Sequence, residues 1–213
     1  MPDQPDVKTA GSNGEQAILE AAEYLFAKKG FDAVSMSAIA KLANSSKPNI
    51  YHHFKNKKEL YLSIMKNAVQ ATSALLDTLE DAPDSIRQRL TDFSAGQLGN
   101  IFAHKRSSQL VLRETLAGNS DSGREIAQHV VGNVFSRLIA MIQKGQEKGE
   151  FRHDIDPTLA AFMIVSANTF FFQASPVVQN MPEVQLTDDV STYSKGVMDI
   201  MLNGLLRNGD KTS

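Results

Sequence analysis

The sequence predicts an all-α protein. Apolar residues recur at helical spacing along almost all of the 213 residues, and no segment alternates with period two. The breaks between the periodic stretches carry helix-cap chemistry. A composition of 42% hydrophobic and 22% charged residues is that of an ordinary globular chain, long enough for one sizeable domain or two small ones.

Residues 1–13, rich in Pro, Asp, Ser and Asn, read as a flexible arm. Ile18, Ala22, Leu25 and Phe26 then mark a first helix over about 15–29. Lys28 and Lys29 suit its C-terminus, and Gly30 can take the left-handed cap conformation. Ser35 is the expected N-cap of a short second helix that turns Met36, Ile39 and Ala40 inward and ends near Ala43. Asn44 stands at the sharp turn, where its short polar side chain tolerates positive φ. Ser46 caps a third helix, with Pro48 in the first turn, where a missing N–H costs little. Asn56 and Glu59 form a capping pair for a fourth helix reaching about Leu79. Further helices are expected over about 85–103, 106–117, 121–148, 157–174 and 187–206, punctuated by Gly118, Gly149 and Pro176. The total is about nine.

The third helix carries the chemistry. At about 100° per residue, Ile50 and Phe54 share one face, expected to pack on Ile18, Phe26 and Ile39. Pro48, Asn49 and His52 point the other way, flanked by Lys47 and Tyr51, with no acid among them. A short capped helix of this design, preceded by a helix and a tight turn, suits a major groove about 12 Å wide. Charge agrees with this locally. The overall balance is −2, but residues 41–66 hold six lysines against the single acid Glu59. That local excess of positive charge could serve phosphates, or form a solvated lysine-rich face.

The run from Gly30 to Ala40 (GFDAVSMSAIA) and that from Ala43 to Leu60 (ANSSKPNIYHHFKNKKEL) resemble the helix-turn-helix motif of the tetracycline-repressor family. The likeness covers about 18–65. A looser one lies at Gly149–Pro157 (GEFRHDIDP), similar to a turn before that family's penultimate helix. The sequence departs from the pattern at Asn44 and Ser45, where the family has glycine and valine. It departs again at Glu15 and Gln16, where arginines are common, leaving Lys8 as the arm's only cation.

The resemblance implies a three-helix helix-turn-helix DNA-binding domain over 1–60 and a helical effector-binding and dimerisation domain over 61–213. It implies phosphate contacts from Ser35, Tyr51 and Lys57, the last aided by the N-terminal dipole of the fourth helix. Ser46, Lys47, Pro48, Asn49 and His52 would lie nearest the base edges, with Asn49 best equipped to read an adenine. The implied partners are double-stranded DNA with a palindromic operator, a second copy of the chain, and a small-molecule effector, apolar or amphipathic. Dimerisation would use the last two helices, through Leu159, Ala160, Met163, Ile164 and Ala167 on one and Val197, Ile200, Met201 and Leu205 on the other. Phe102, Leu110, Phe135, Phe171 and Phe172 are candidate walls of an effector site, with Arg113, Glu114 and Asn168 as its polar groups. The implied function is a transcriptional repressor released from its operator by the effector.

Other classes fare less well. With no cysteine, disulfides, thiolate metal sites and cysteine nucleophiles are excluded. The five histidines are scattered, and the adjacent His52 and His53 diverge by about 100° on a helix, which ill suits one metal. No zincin, nucleophile-elbow, phosphate-loop or dinucleotide motif is present, so no enzyme activity, cofactor or metal is expected. The polar N-terminus is unlike a signal peptide. The apolar stretch near 160–172 is expected to be too short to span a bilayer, and a cytoplasmic protein follows. The alternative is a helical scaffold that keeps the helix-turn-helix for structure only, supported by the missing arm arginines and the acidic C-terminal part.

Overall fold

The computed structural model describes residues 14–117, 131–178, 180, 181, 183 and 189–205. The expected arm (1–13, with Lys8), the stretch 121–130 of a predicted helix, Gly118, residues 187 and 188 and Leu206 lie outside them, as do the side chains of Ala117 and Leu205. Among the described residues every regular element is helical: α1 (Gly14–Lys29), α2 (Met36–Leu42), α3 (Lys47–His53), α4 (Lys57–Glu80), α5 (Ile86–Ala103), α6 (Lys105–Ala117), α7 (Gly132–Glu147), α8 (Pro157–Val178) and α9 (Val190–Leu205).

The described residues fall into two compact units. One lies within Met1–Val69 and His104–Val130, the other within Gln70–Ala103 and Val131–Ser213. The boundary expected after residue 60 falls inside the unbroken α4, and the helix-turn-helix unit also takes in α6, which packs on α1.

In the N-terminal unit Ile18, Phe26, Ile39, Ile50 and Leu60 are wholly buried. Each such side chain contributes about 1.5–3 kcal/mol through loss of apolar surface to water. Tyr61 joins them: its ring packs edge-on against Phe26 at 4.9 Å and against Phe31 at 4.9 Å. Its hydroxyl donates to Glu114 Oε1 (2.7 Å) and accepts from Arg113 (3.0 Å). Burial first, then the Glu114 hydrogen bond, push the phenol up to about 12.

In the C-terminal unit Gly145 lets Phe151 approach closely, since a Cβ there would stand 2.4 Å from the ring. The buried Arg89 donates to the carbonyls of Glu80, Ala82 and Asp84, closing the end of α4. Arg137 pairs with Asp77 and Glu80.

Helix α8 departs from expectation twice. It runs past Pro176 to Val178 instead of stopping near 174. Proline removes the N–H that would reach the Phe172 carbonyl, and the Ser175 hydroxyl donates there instead (3.2 Å). At 22 residues, with a mean hydropathy of 1.4 over its most apolar window, it is also long and apolar enough to cross a membrane by those measures. Here it is a packed helix: Ala160, Ala161, Ile164, Asn168, Phe171, Phe172 and Ser175 are all buried.

The apolar stripe expected on α8 is split between two faces. Ala160 and Ile164 belong to the core, whereas Leu159, Phe162, Met163, Phe170 and Val177 are exposed. At helical spacing these five fall within about 100° of one another. On α9, Ile200 is 77% exposed while Val197 and Met201 are half-buried.

Candidate nucleic-acid interface

The interface is set by two capped short helices and the turn between them. Ser35 and Ser46 both have extended backbones, and each hydroxyl accepts the N–H three residues on, from Ala38 and Asn49 respectively, at 3.2 Å. These bonds satisfy otherwise orphaned helix donors and leave each hydroxyl hydrogen available to a phosphate. Asn44 takes φ 47°, as its place in the turn predicts, and the N–H of Ser45 reaches back to the Ala40 carbonyl at 2.9 Å. The turn thus closes without glycine. Asn56 and Glu59 also cap as expected: the Glu59 N–H donates to Asn56 Oδ1 (2.8 Å), and Glu59 Oε2 accepts from the Lys55 N–H (2.6 Å).

Helix α3 is anchored by one side and open on the other. Ile50 is wholly buried and Phe54 is 4% exposed, whereas Lys47, Pro48, Asn49, Tyr51 and His52 are all exposed. Lys41 and Lys55 are exposed nearby, and His53 meets Glu15 at 3.5 Å. This face offers hydrogen-bonding edges at the first turn and positive charge around it.

Lys57 is differently employed from what the resemblance implies. Its ammonium donates to the carbonyls of Phe31 (2.8 Å) and Val34 (3.0 Å), and sits 4.3 Å from the centre of the Phe31 ring. Two of its three donors therefore fasten the loop that delivers Ser35 to α2.

Sequence reasoning passed over Ser45, noted only as a departure. Its Oγ accepts from Asn49 Nδ2 at 3.0 Å. The signal was present as an i, i+4 spacing of hydroxyl and amide on one helical face.

The eight candidate effector residues are divided between the two units. Phe102 packs against Phe171 (5.9 Å) and Phe172 (5.3 Å), and Tyr193 stacks on Phe171 at 3.7 Å. Asn168, fully buried, donates to Gln97 Oε1 (2.9 Å) and to the Ser94 carbonyl (3.0 Å). Phe135 instead stacks with Phe162 at 6.3 Å. Leu110, Arg113 and Glu114 belong to the N-terminal unit, where Leu110 is core and the charged pair holds Tyr61. Among the described residues no group of three or more His, Cys, Asp or Glu could hold a metal ion.

A capped helix-turn-helix with an acid-free, exposed second helix, carried by an otherwise helical chain, defines a DNA-binding regulator. Comparison with known proteins makes this more particular. Residues 18–64 match the profile "Bacterial regulatory proteins, tetR family", and residues 88–195 match "Tetracyclin repressor-like, C-terminal domain". The chain belongs to the TetR family of transcriptional regulators. It is accordingly a DNA-binding regulator and not an enzyme, and the reading as a mere scaffold is set aside.

The HTH-type transcriptional repressor NicS of Pseudomonas putida is 28% identical over 89% of this chain and 91% of its own length. The fatty acid degradation regulator FadR from Bacillus halodurans shares the fold with a TM-score of 0.71 at 20% identity, over 93% of this chain and 100% of that one. AibR, solved with isovaleryl coenzyme A and operator DNA, has a TM-score of 0.65 at 20% identity, over 91% and 98%.

Proposed function

We propose that the chain is a homodimeric repressor that binds a palindromic operator through α3 and leaves it when a small-molecule effector binds. The observation that carries this is the two-sidedness of α3: Ile50 is wholly buried while Lys47, Pro48, Asn49 and His52 are exposed beside two capping serines. Ser35 and Tyr51 contact phosphates, Ser46 to Asn49 and His52 face the bases, and Lys57 holds the loop before Ser35. A cytoplasmic location follows from the DNA partner, and no cofactor is required.

The exposed face of α8 (Leu159, Phe162, Met163, Phe170, Val177) with Ile200 of α9 supports dimerisation through the last two helices. An apolar stripe on this scale is normally covered, and a two-fold contact covers it in both copies at once. Two-fold symmetry would place the two recognition helices about 34–36 Å apart on one DNA face, hence a palindrome.

For the effector, the cluster of Phe102, Phe171, Phe172 and Tyr193 beside the buried Asn168 supports an apolar or amphipathic molecule. Release would be a population shift toward a state with the wrong helix spacing. Gel-shift titrations of a fragment upstream of the chain's own gene, at two salt concentrations, test the DNA reading. Specific retardation that weakens steeply with salt is expected. Absence of specific retardation on this and on other genomic fragments would overturn it.

A further inference from the structure

We propose that Ser45 is a positioning residue that sets base specificity through Asn49; this rests on the reading of α3 as the base-reading helix. An asparagine amide recognises adenine with one N–H toward N7 and its Oδ1 toward the N6 amino group, which leaves its second N–H over. Here Asn49 Nδ2 donates to Ser45 Oγ at 3.0 Å, so the serine accepts the hydrogen that base reading leaves over. The main chain of Asn49 is fixed as well, its N–H held by Ser46 Oγ at 3.2 Å. The first turn of α1 runs near the amide, since a Cβ placed on Gly14 would stand 3.5 Å from Nδ2.

Asn49 is exposed, and without Ser45 its side chain would sample several rotamers in water before meeting a base. Holding it in one orientation lowers the entropy lost on binding and favours the base pair that matches this orientation. Valine at position 45 could pack in the turn but could not accept a hydrogen bond. The serine thus exchanges apolar packing for control of a neighbour four residues on. Ser45 itself is half-buried, which suits support better than direct contact with DNA.

The experiment is binding-site selection with the full-length protein and its Ser45→Val, Ser45→Thr, Asn49→Ala and Ser45→Val/Asn49→Ala variants, with thermal melts confirming that each is folded. Ser45→Ala replaces the valine variant if that one does not fold. Asn49→Ala should abolish the preference at one base pair per half-site. Ser45→Val should weaken the preference at that same base pair about two- to tenfold, the range of one net hydrogen bond. Ser45→Thr, which keeps the hydroxyl, should retain it. In the Asn49→Ala background Ser45→Val should change nothing further. An unchanged profile for Ser45→Val beside an altered one for Asn49→Ala overturns the role of Ser45 and leaves base reading by Asn49 intact. An equal effect of Ser45→Val with and without Asn49 would make Ser45 a direct contact and also overturn it. If Asn49→Ala alters no preference, the base-reading assignment itself fails, and the role of Ser45 with it.

Discussion

The recognition segment of the helix-turn-helix unit and the buried core of the C-terminal unit handle polar groups differently. Around α2 and α3 the hydroxyls and amides bond within three or four residues of themselves: Ser35 to Ala38, Ser46 to Asn49, Ser45 to Asn49, Asn56 to Glu59. In the C-terminal unit a buried group of them bonds across the fold. Asn168 reaches Ser94, 74 residues away in sequence, and Ser194 reaches Ser94 across 100. Short-range bonds shape the backbone and leave the outer face free for a partner. Long-range buried bonds fix which helices are neighbours and at what register, because a half-satisfied network is costly. The first arrangement builds a reader, the second a frame with a preferred geometry.

The sharpest way to break that contrast is to remove a member of the long-range network. Asn168 and Ser194 are wholly buried, Ser94 is 1% exposed and Gln97 is 6% exposed. Asn168→Ala strands the Gln97 carbonyl oxygen and leaves a small void, so a loss of about 2–4 kcal/mol is expected. Urea denaturation monitored by circular dichroism measures it. A loss below about 1 kcal/mol would mean that the network contributes little to the choice of helix neighbours.

Legibility in the sequence follows the same divide. Caps, the Asn44 turn and the inward face of α3 could be read because their chemistry is local and its spacing is fixed by the helix. Asn168 was visible as a polar residue in an apolar run, but nothing along the chain tells that its partners are Ser94 and Gln97. Arg113 and Glu114 were visible as an adjacent charged pair, but nothing along the chain tells that they hold Tyr61, which lies 52 and 53 residues earlier. Pro176 read as a stop because the hydroxyl of Ser175 that takes over the freed carbonyl has no distinctive spacing.

Tyr61 sharpens the contrast because, like Lys57, it makes a long-range polar contact inside the reader unit. Its phenol is pushed up to about 12 from 10.0, first by burial and then by Glu114. The folded state therefore favours the protonated phenol. Its contribution is fully present below pH about 10, the unfolded value, and is lost as pH rises through about 12. Tyr61→Phe should leave a smaller alkaline loss of stability over that window than the wild type shows. Melting temperatures at pH 8, 10 and 11.5 decide it, and parallel declines for the two proteins would show that Tyr61 does not couple folding to pH.

The smallest expected effect concerns Lys57, where family likeness and geometry point in different directions. A lysine that neutralises a phosphate adds nearly one to the slope of log affinity against log salt at each half-site. Lys57 instead spends two donors on the Phe31 and Val34 carbonyls and lies over the Phe31 ring, so its charge serves the loop leading to Ser35. Lys57→Met keeps the length of the side chain and removes the donors. Affinity should fall for all sequences alike, because Ser35 loses its position, while the salt slope stays within about 0.3 of the wild type. Lys55→Met, at an exposed lysine two residues away, provides the contrast: a slope lower by about one per half-site is expected if it meets a phosphate. Filter-binding titrations over a range of potassium concentrations measure both. A full unit lost with Lys57→Met would return this lysine to the phosphate backbone and make the loop contacts a resting arrangement that DNA displaces.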